Sequence, residues 1–168
     1  MIGKEIFRVP AYDRDFGPNG IVVHAISSGD LDSVFRIDIQ TGTVTLVGPL
    51  DRERTSVYRL NITAYDLGTS HLSSSKSVSV YVVDVNDNRP EFAMDTSSLF
   101  ISEDTEIGSS VAQFIAIDED EGENAEISYE LVTRTEHFRI HSVSGTLYVI
   151  SKLDREKIEE FNLHILLS

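Results

Sequence analysis

The chain has 168 residues, of which 28 are acidic and 14 basic, so its formal charge at neutral pH is −14. That balance excludes a nucleic-acid partner, because phosphate binding needs clustered Lys and Arg. There is no cysteine, and no apolar run reaches the roughly 18 residues of a membrane-spanning helix. The acidic excess is typical of a solvated surface or of carboxylates grouped to bind a hard cation.

In chain order, the first predicted strands and turns recur later in the same order. The pattern A-x-D-x-D-x-G-x-N occupies 11–19 and returns at 116–124, an offset of 105 residues. Further matches fall at an offset of 103: Phe35-Arg36-Ile37 with Phe138-Arg139-Ile140, Gly42-Thr43-Val44 with Gly145-Thr146-Leu147, and Leu50-Asp51-Arg52-Glu53 with Leu153-Asp154-Arg155-Glu156. Ordered matches of this kind indicate two copies of one structural unit.

Alternation of apolar and polar residues predicts β-strands within each copy. Apolar residues occupy every second position in 58–64 and again in 78–82, the period of a half-buried strand. Turn signals rich in Gly, Asn and Ser separate the strands at 17–20, 28–30, 41–42 and 144–145. The one helix-like stretch, 155–160, is short. The fold class predicted is therefore all-β, with two tandem Greek-key, seven-strand β-sandwich domains.

The boundary between the two copies is expected at Asn88-Arg89-Pro90, where the proline should end the last strand of the first copy. This predicts domains at 1–88 and 89–168. Alignment of the copies predicts that the first lacks its first strand and the second its C-terminal part. Met1 is accordingly not expected to be the natural start of the protein.

Three acidic motifs lie at the predicted turns and strand ends. D-x-D-x-G-x-N and L-D-R-E occur in both copies, whereas D-V-N-D-N-R-P, at 84–90, occurs only at the junction. The two carboxylates of D-x-D fall on one side of an extended chain and can share an ion. Calcium prefers six to eight oxygen ligands, which these motifs offer as carboxylates, amides and carbonyls. They therefore predict calcium binding.

Other sites built on acidic or histidine residues fit the sequence poorly. An EF-hand needs Gly at position 6 and Glu at position 12, but from Asp118 the glycine is fifth and position 12 is Tyr129. A zinc pair at His137 and His141 lacks the Glu and the helix of H-E-x-x-H. A glycosidase needs a sugar cleft and one acid of raised pKa, and no nucleophile motif is present. Enzymatic activity is not expected.

L-D-R-E followed by D-x-N-D-N-x-P, with flanking A-x-D-x-D-x-G-x-N, resembles the cadherin repeat over essentially the whole chain. The resemblance implies about three Ca2+ ions in the linker between successive repeats. Carried onto matching positions, it implies that the ions are bound by side chains of both repeats and the junction and by three backbone carbonyls, those of Val85, Asn88 and Asn124. The side-chain ligands implied are Asp51, Glu53, Asp84, Asn86, Asp87, Asp118 and Asp120.

The remaining acidic motifs match parts of neighbouring linkers and are expected to bind calcium weakly or not at all here. These outer half-sites are Asp13, Asp15, Asn19 and Asp66 at one end, and Glu103, Asp154 and Glu156 at the other. At the main site six carboxylates carry a formal charge of −6, which three calcium ions balance. Repulsion without metal should loosen the joint, and shared ions should stiffen it.

The resemblance implies a calcium-dependent cell–cell adhesion protein on the extracellular side of the plasma membrane. Its implied partners are other cadherin ectodomains, homophilic or heterophilic, with no small-molecule substrate and with membrane attachment only through a single transmembrane segment outside these residues. A non-adhesive mechanical spacer uses the same linker and stays open. A calcium-dependent enzyme or sugar binder on a similar sandwich is disfavoured by the motifs.

Two further features refine the expectation. The chain has no Trp, so it offers no anchor for the Trp-dependent strand exchange of one cadherin branch, and an internal pair of repeats from a long member is expected. Asn61-Ile62-Thr63 is an N-glycosylation sequon. Asn61 falls on the polar face of its predicted strand, which favours glycosylation there.

Overall fold

The computed structural model describes residues 2–70, 72–94 and 98–168. It divides the chain into two compact units, Met1–Val83 and Asp84–Ser168. Helical structure in these described ranges is limited to two 3-10 turns, Gly17–Gly20 and Gly122–Ala125. Neither comes near the length or apolarity that a membrane-crossing helix requires, and the same holds for every helix described.

The first unit contains six strands in its described part: β1 (Glu5–Arg8), β2 (Val22–Ser28), β3 (Phe35–Ile37), β4 (Thr43–Leu46), β5 (Val57–Asp66) and β6 (Ser73–Tyr81). They form two antiparallel sheets with strand orders β1-β4-β3 and β2-β5-β6. Side chains from both sheets meet in one core, whose buried members are Val34, Phe35, Val44, Leu46, Tyr58, Leu60 and Ile62. The unit is thus a β-sandwich.

The period-2 alternation in β5 and β6 is confirmed. Tyr58, Leu60 and Ile62 are 3%, 0% and 2% exposed, while Arg59 between them is exposed. The expectation that Pro90 ends the last strand of this unit is wrong. β6 ends at Tyr81, which pairs with Val57, the first residue of its partner β5. One more backbone bond, from the N–H of Val82 to the Ser56 carbonyl at 2.9 Å, follows the last pair. The repeat boundary at 88/89 stays a prediction.

The second unit contains β7 (Glu91–Phe92), β8 (Ser110–Gln113), β9 (Ala116–Ile117), β10 (Tyr129–Leu131), β11 (Phe138–Ile140), β12 (Thr146–Val149) and β13 (Ile165–Leu167). Its sheets have the orders β11-β12-β8, β10-β13 and β7-β9. The first two match β3-β4-β1 and β2-β5 of the first unit. The buried residues of its core are Tyr129, Phe138, Ile140, Leu147, Val149 and Leu153. Two tandem β-sandwiches of one topology are therefore present, as the internal repeat predicts.

The helix-like stretch expected at 155–160 is a single turn. The Asp154 carbonyl accepts the backbone N–H groups of Lys157 and Ile158, at 3.1 and 3.0 Å. No helical assignment follows in 155–160. The helix does not propagate because six residues are too few for further bonds to offset the cost of forming the first turn.

Candidate metal centre

The junction motif folds against the 118–124 loop within the second unit. Oδ2 of Asp84 accepts the backbone N–H of Glu121 at 3.0 Å and the side-chain amide of Asn124 at 2.9 Å. Carboxylate oxygens of Asp84 and Asp120 lie within 4.8 Å of each other. Two acidic residues 36 positions apart in sequence are thereby brought close enough to bind one cation.

Asn88 links the junction to the buried end of the same loop. Its side-chain amide donates to Oδ1 of Asp120 at 2.7 Å and to Oδ1 of Asp87 at 3.2 Å. Its backbone N–H lies 3.3 Å from Oδ2 of Asp120. Asp120 is only 7% exposed, and a buried carboxylate needs such donors or a cation to offset its desolvation.

The loop itself is shaped by its first aspartate and its glycine. Oδ1 of Asp118 accepts the N–H of Asp120 at 2.9 Å, and Gly122 adopts a φ of +62°, which favours glycine. The first copy repeats this geometry at Asp13 and Asp15, with a bond of 2.8 Å. The motif therefore encodes a local turn as well as a set of carboxylates.

The chemistry of this donor set fits calcium. Asp84, Asp87, Asp118 and Asp120 offer carboxylate oxygens, and the group contains no His. The side-chain amides of Asn88 and Asn124 contact Asp120 and Asp84 at 2.7 and 2.9 Å. Oxygen-only donor sets suit hard cations such as Ca2+, whereas Zn2+ and Cu2+ favour nitrogen or sulfur. Such an arrangement can bind and neutralise a cation.

Four other predicted ligands are not tested by this geometry. Val85 is 65% exposed, and Asn86 is also exposed. Asp51 and Glu53 lie in the first unit, in the turn that precedes β5. There the side chain of Asp51 accepts the N–H of Arg54 at 2.9 Å, and Glu53 pairs with Arg52 at 2.8 Å. Their membership of the calcium site stays a prediction.

Of the outer half-site in the first unit, the structure brings Asn19 and Asp66 together. Asp66 is 5% exposed and accepts the N–H groups of Gly68 and Leu72 at 2.9 and 3.1 Å. A Cβ atom at Gly68 would lie 2.5 Å from Oδ1 of Asn19 and 3.1 Å from Oδ1 of Asp66. A side chain at position 68 would therefore displace the end of the Asn19 side chain. Asp13 and Asp15 are exposed nearby in sequence.

In the second unit the outer acids already have local partners. Glu103 accepts the N–H of Arg155 at 3.0 Å, and Glu156 lies 3.7 Å from the guanidinium of Arg155. Asp154 pairs with Nζ of Lys157 at 2.7 Å. The hydrogen bond from Lys157 holds the pKa of Asp154 below its usual value. A cation approaching Asp154 must compete with this lysine.

The two histidines considered as a zinc pair have other roles. Nδ1 of His137 bonds the Ser151 hydroxyl at 2.7 Å. Nδ1 of His141 accepts the N–H groups of Val143 and Ser144 at 3.3 and 3.2 Å, which fixes the turn before β12. Local hydrogen bonding accounts for both residues.

Sequence reasoning missed two contributors to these sites. The backbone N–H of Glu121 binds Asp84, and a backbone group leaves no mark in a residue pattern. Asp32 binds the side chains of Arg54, Thr55 and Tyr58 beside the Asp51 turn. The sequence does contain one signal for Asp32. At the 103-residue offset its counterpart is Thr135, so the two copies differ in charge at this position.

Comparisons with known proteins agree with this architecture. The family model for the cadherin domain matches residues 1–83 and 97–168. Human Protocadherin Fat 1 is 42% identical over 164 residues, and the Drosophila melanogaster Fat-like cadherin-related tumor suppressor homolog is 43% identical over 165 residues. Each alignment covers 98% of this chain and 4% of the relative, so the chain spans a small part of those proteins.

Solved structures with the same fold are tandem cadherin repeats. The crystal structure of mouse Cadherin-23 EC22-24 matches with a TM-score of 0.83 and 28% identity, covering 99% of this chain and 53% of that one. Extracellular cadherin domains 1-4 of Protocadherin Gamma B7 match with a TM-score of 0.81 and 34% identity, covering 99% and 41%. Two family-model matches, close relatives and a shared fold converge: the chain belongs to the cadherin family and comprises two successive cadherin repeats.

Proposed function

We propose that this chain is a calcium-binding pair of extracellular repeats from a cell-adhesion protein. One observation carries the proposal. The carboxylates of Asp84 and Asp120 approach within 4.8 Å, and Asn88 and Asn124 hold the two segments together. In water such a pair of like charges repels, and it persists where hydrogen-bond donors and a cation offset the repulsion.

The ligand set is the one that the cadherin motifs imply. The junction and second repeat contribute four carboxylates, while Asp51 and Glu53 of the first repeat complete a total of six. The Asn86 side chain and the carbonyls of Val85, Asn88 and Asn124 add neutral oxygens. Three Ca2+ ions balance the six carboxylates, and the ligands they share tie the repeats to each other. When bound, calcium supplies positive charge and flexible oxygen coordination.

Charge neutralisation is the step that gives this binding a mechanical consequence. Two carboxylates within 4.8 Å of each other repel by at least roughly 3 kcal/mol at an effective dielectric constant of 20. Six carboxylates gathered at one joint multiply that penalty and favour conformations that separate them. Calcium removes the penalty and adds bonds between the repeats, so it stiffens the joint.

This linker mechanism serves adhesion and spacing alike. As an adhesion module, the pair contacts other cadherin ectodomains, homophilic or heterophilic, on the extracellular side of the plasma membrane, anchored by a single membrane span elsewhere in the protein. As a spacer it sets stiffness and reach and binds no partner. Sedimentation of the purified pair in calcium, alone and mixed with candidate ectodomains, separates the roles. Association specific to calcium supports adhesion by these repeats.

We also propose N-glycosylation at Asn61, on β5. Its side-chain amide donates to the Ser28 hydroxyl at 2.9 Å, and its oxygen accepts from Ser77 at 2.5 Å. The Thr63 hydroxyl of the sequon lies on the same face, bonded to Ser27 and Ser75. Mass spectrometry of the secreted protein before and after enzymatic deglycosylation tests this site, with Thr63→Ala as the unglycosylated control.

Calcium titration tests the central proposal. Ions that bind only the folded state stabilise it by about 2.7 kcal/mol at a free concentration 100 times Kd. We expect the melting temperature to rise in millimolar CaCl2 and to fall in EGTA, with calorimetric titration giving the stoichiometry. MgCl2 should substitute poorly, because Mg2+ demands strict octahedral coordination and retains water. Melting curves that coincide in CaCl2 and EGTA would refute calcium binding.

A further inference from the structure

Asp32 forms a three-way contact next to the Asp51 turn of the first repeat. Its Oδ1 pairs with Nη2 of Arg54 at 2.6 Å. Its Oδ2 accepts the hydroxyl of Tyr58 at 2.9 Å and that of Thr55 at 3.2 Å. The Asp32 side chain is 13% exposed, and that of Arg54 is 71% exposed. Asp32 therefore pairs with a guanidinium that is largely exposed to solvent.

The same contact anchors the turn to the core. The N–H groups of Arg54 and Thr55 both return to Asp51, the first to its side chain and the second to its carbonyl, each at 2.9 Å. Tyr58, which reaches Asp32 through its hydroxyl, is 3% exposed and packs edge-on against Phe35 at 5.0 Å. The turn that contains Asp51 and Glu53 is thus linked through Asp32 to a buried ring.

The second repeat lacks the carboxylate that corresponds to Asp32, and its basic side chain binds elsewhere. Thr135, Lys157 and Phe161 stand at the positions of Asp32, Arg54 and Tyr58. The aromatic packing is retained, since Phe138 and Phe161 meet edge-on at 5.1 Å. With no carboxylate at position 135, Nζ of Lys157 instead bonds Oδ2 of Asp154 at 2.7 Å, on the residue equivalent to Asp51.

The contact between Lys157 and Asp154 is an ion pair on a residue that would otherwise be a ligand. An ammonium bound to a ligand carboxylate neutralises it and must be displaced before a divalent cation can bind. In the first repeat, the corresponding guanidinium is held by Asp32, so it does not occupy Asp51.

We propose that Asp32 is a positioning residue for calcium binding: it holds Arg54 away from Asp51 and fixes the turn that presents Asp51 and Glu53. This inference rests on the proposed calcium function of that turn. It also predicts that the two copies differ. The cation next to Asp51, Arg54, is held by Asp32, whereas Asp154 is paired directly with Lys157.

The test uses the whole two-repeat chain, calorimetric calcium titration and thermal melts in EGTA. Asp32→Asn keeps an acceptor for Tyr58 but removes the charge that holds Arg54. We expect D32N to lower calcium affinity about tenfold, because Arg54 can then pair with Asp51 or Glu53. Adding Arg54→Gln should restore affinity to within about twofold of the wild-type chain. R54Q alone serves as the control and should change affinity little.

Rescue by the second substitution separates positioning from a purely structural role. Loss of fold would lower the melting temperature in EGTA and would not be repaired by removing Arg54. Wild-type affinity in D32N, or a loss that R54Q does not restore, overturns the positioning role while leaving calcium binding intact. If the wild-type chain shows no calcium response, both proposals fail. Should D32N not fold, Asp32→Thr, the second repeat's residue, replaces it with the same expectations.

Discussion

The side-chain amide of Asn124 donates a 2.9 Å hydrogen bond to Oδ2 of Asp84, 40 residues earlier in the chain. The same oxygen accepts the backbone N–H of Glu121. The junction motif and the D-x-D loop thus form one hydrogen-bonded structure within the second unit. Because these donors fix where the carboxylates lie, substitutions in this group should change calcium affinity selectively.

Asp120→Asn should lower calcium affinity at least tenfold, about 1.4 kcal/mol. Asp120 is buried and lies within 4.8 Å of Asp84, so its charge contributes directly to the group. Asp15 is its counterpart in the first repeat, is exposed and belongs to a half-site. Asp15→Asn is therefore the matched control and should change affinity less than twofold. Equal losses in calorimetric titrations would contradict the assignment of the main site.

Asn124→Ala should weaken calcium binding by about tenfold or more, because a hydrogen bond to a charged group contributes about 1.5–3 kcal/mol and tenfold corresponds to about 1.4 kcal/mol. Its amide fixes Asp84, and truncation lets that carboxylate move. Hydrogen exchange in EGTA should also show faster exchange at the Glu121 amide, which shares the Asp84 acceptor. The equivalent Asn19→Ala in the first repeat should leave both quantities unchanged. Unaltered exchange at Glu121 in N124A would argue against a positioning role for this amide.

Asp38 gives the first unit an acid-sensitive turn. Its Oδ1 accepts the N–H groups of Thr41 and Gln40 and the Thr41 hydroxyl, at 2.7, 3.1 and 2.9 Å. The bond from the Thr41 backbone is the main reason that its pKa lies below the usual value of 3.8. Between the pKa of Asp38 in the folded state and its usual value of 3.8, the folded state therefore binds fewer protons than the unfolded state. The stabilisation is complete above pH 3.8 and is lost as pH falls through the folded value.

Asp38→Ala should accordingly lower the melting temperature at pH 7, and the difference from the wild-type chain should shrink below pH 3.8. Thermal melts in EGTA at both pH values measure this without a contribution from metal. Asp38→Asn keeps the oxygen acceptor without its charge, so its melting temperature should lie between the other two at pH 7. A D38A deficit that is equal at both pH values would exclude the carboxylate as its source.

Sequence alone predicted the parts of the fold that depend on the alternation of apolar and polar residues along a strand. Tyr58, Leu60 and Ile62 alternate with polar residues, and that alternation by itself determines which face is buried. The internal repeat predicted that both units share one sheet order, since equivalent apolar positions fill equivalent cores. Membership of the cadherin family agrees with the expectation of a non-enzymatic chain.

The features that sequence did not predict depend on contacts between distant residues. Asp32 contacts Tyr58 26 positions later, and no local pattern joins them. β6 ends opposite the first residue of β5, so the proline at position 90 was the wrong signal. Cadherin resemblance supplied the ligand roles, but the Asn88 side chain contacts both Asp87 and Asp120, whereas only its carbonyl had been assigned a role.

The proposed mechanism predicts that calcium changes the flexibility of the joint more than the fold of each repeat. Each unit has its own apolar core, and none of the proposed ligands belongs to either core. Removing calcium should therefore free the joint while most strands persist. Small-angle scattering should show a stiff, extended particle in CaCl2 and a broader distribution of bends in EGTA, with similar strand content by circular dichroism.

Asp120→Asn provides the internal control for that comparison, because its scattering in CaCl2 should approach that of the wild-type chain in EGTA. Coincident wild-type profiles in the two buffers would exclude stiffening by calcium. A collapse of the circular dichroism signal on chelation would show instead that calcium is required to fold a repeat. In that case Asp120, the buried member of the group at 7% exposure, would destabilise the second unit whenever its charge lacked a bound cation.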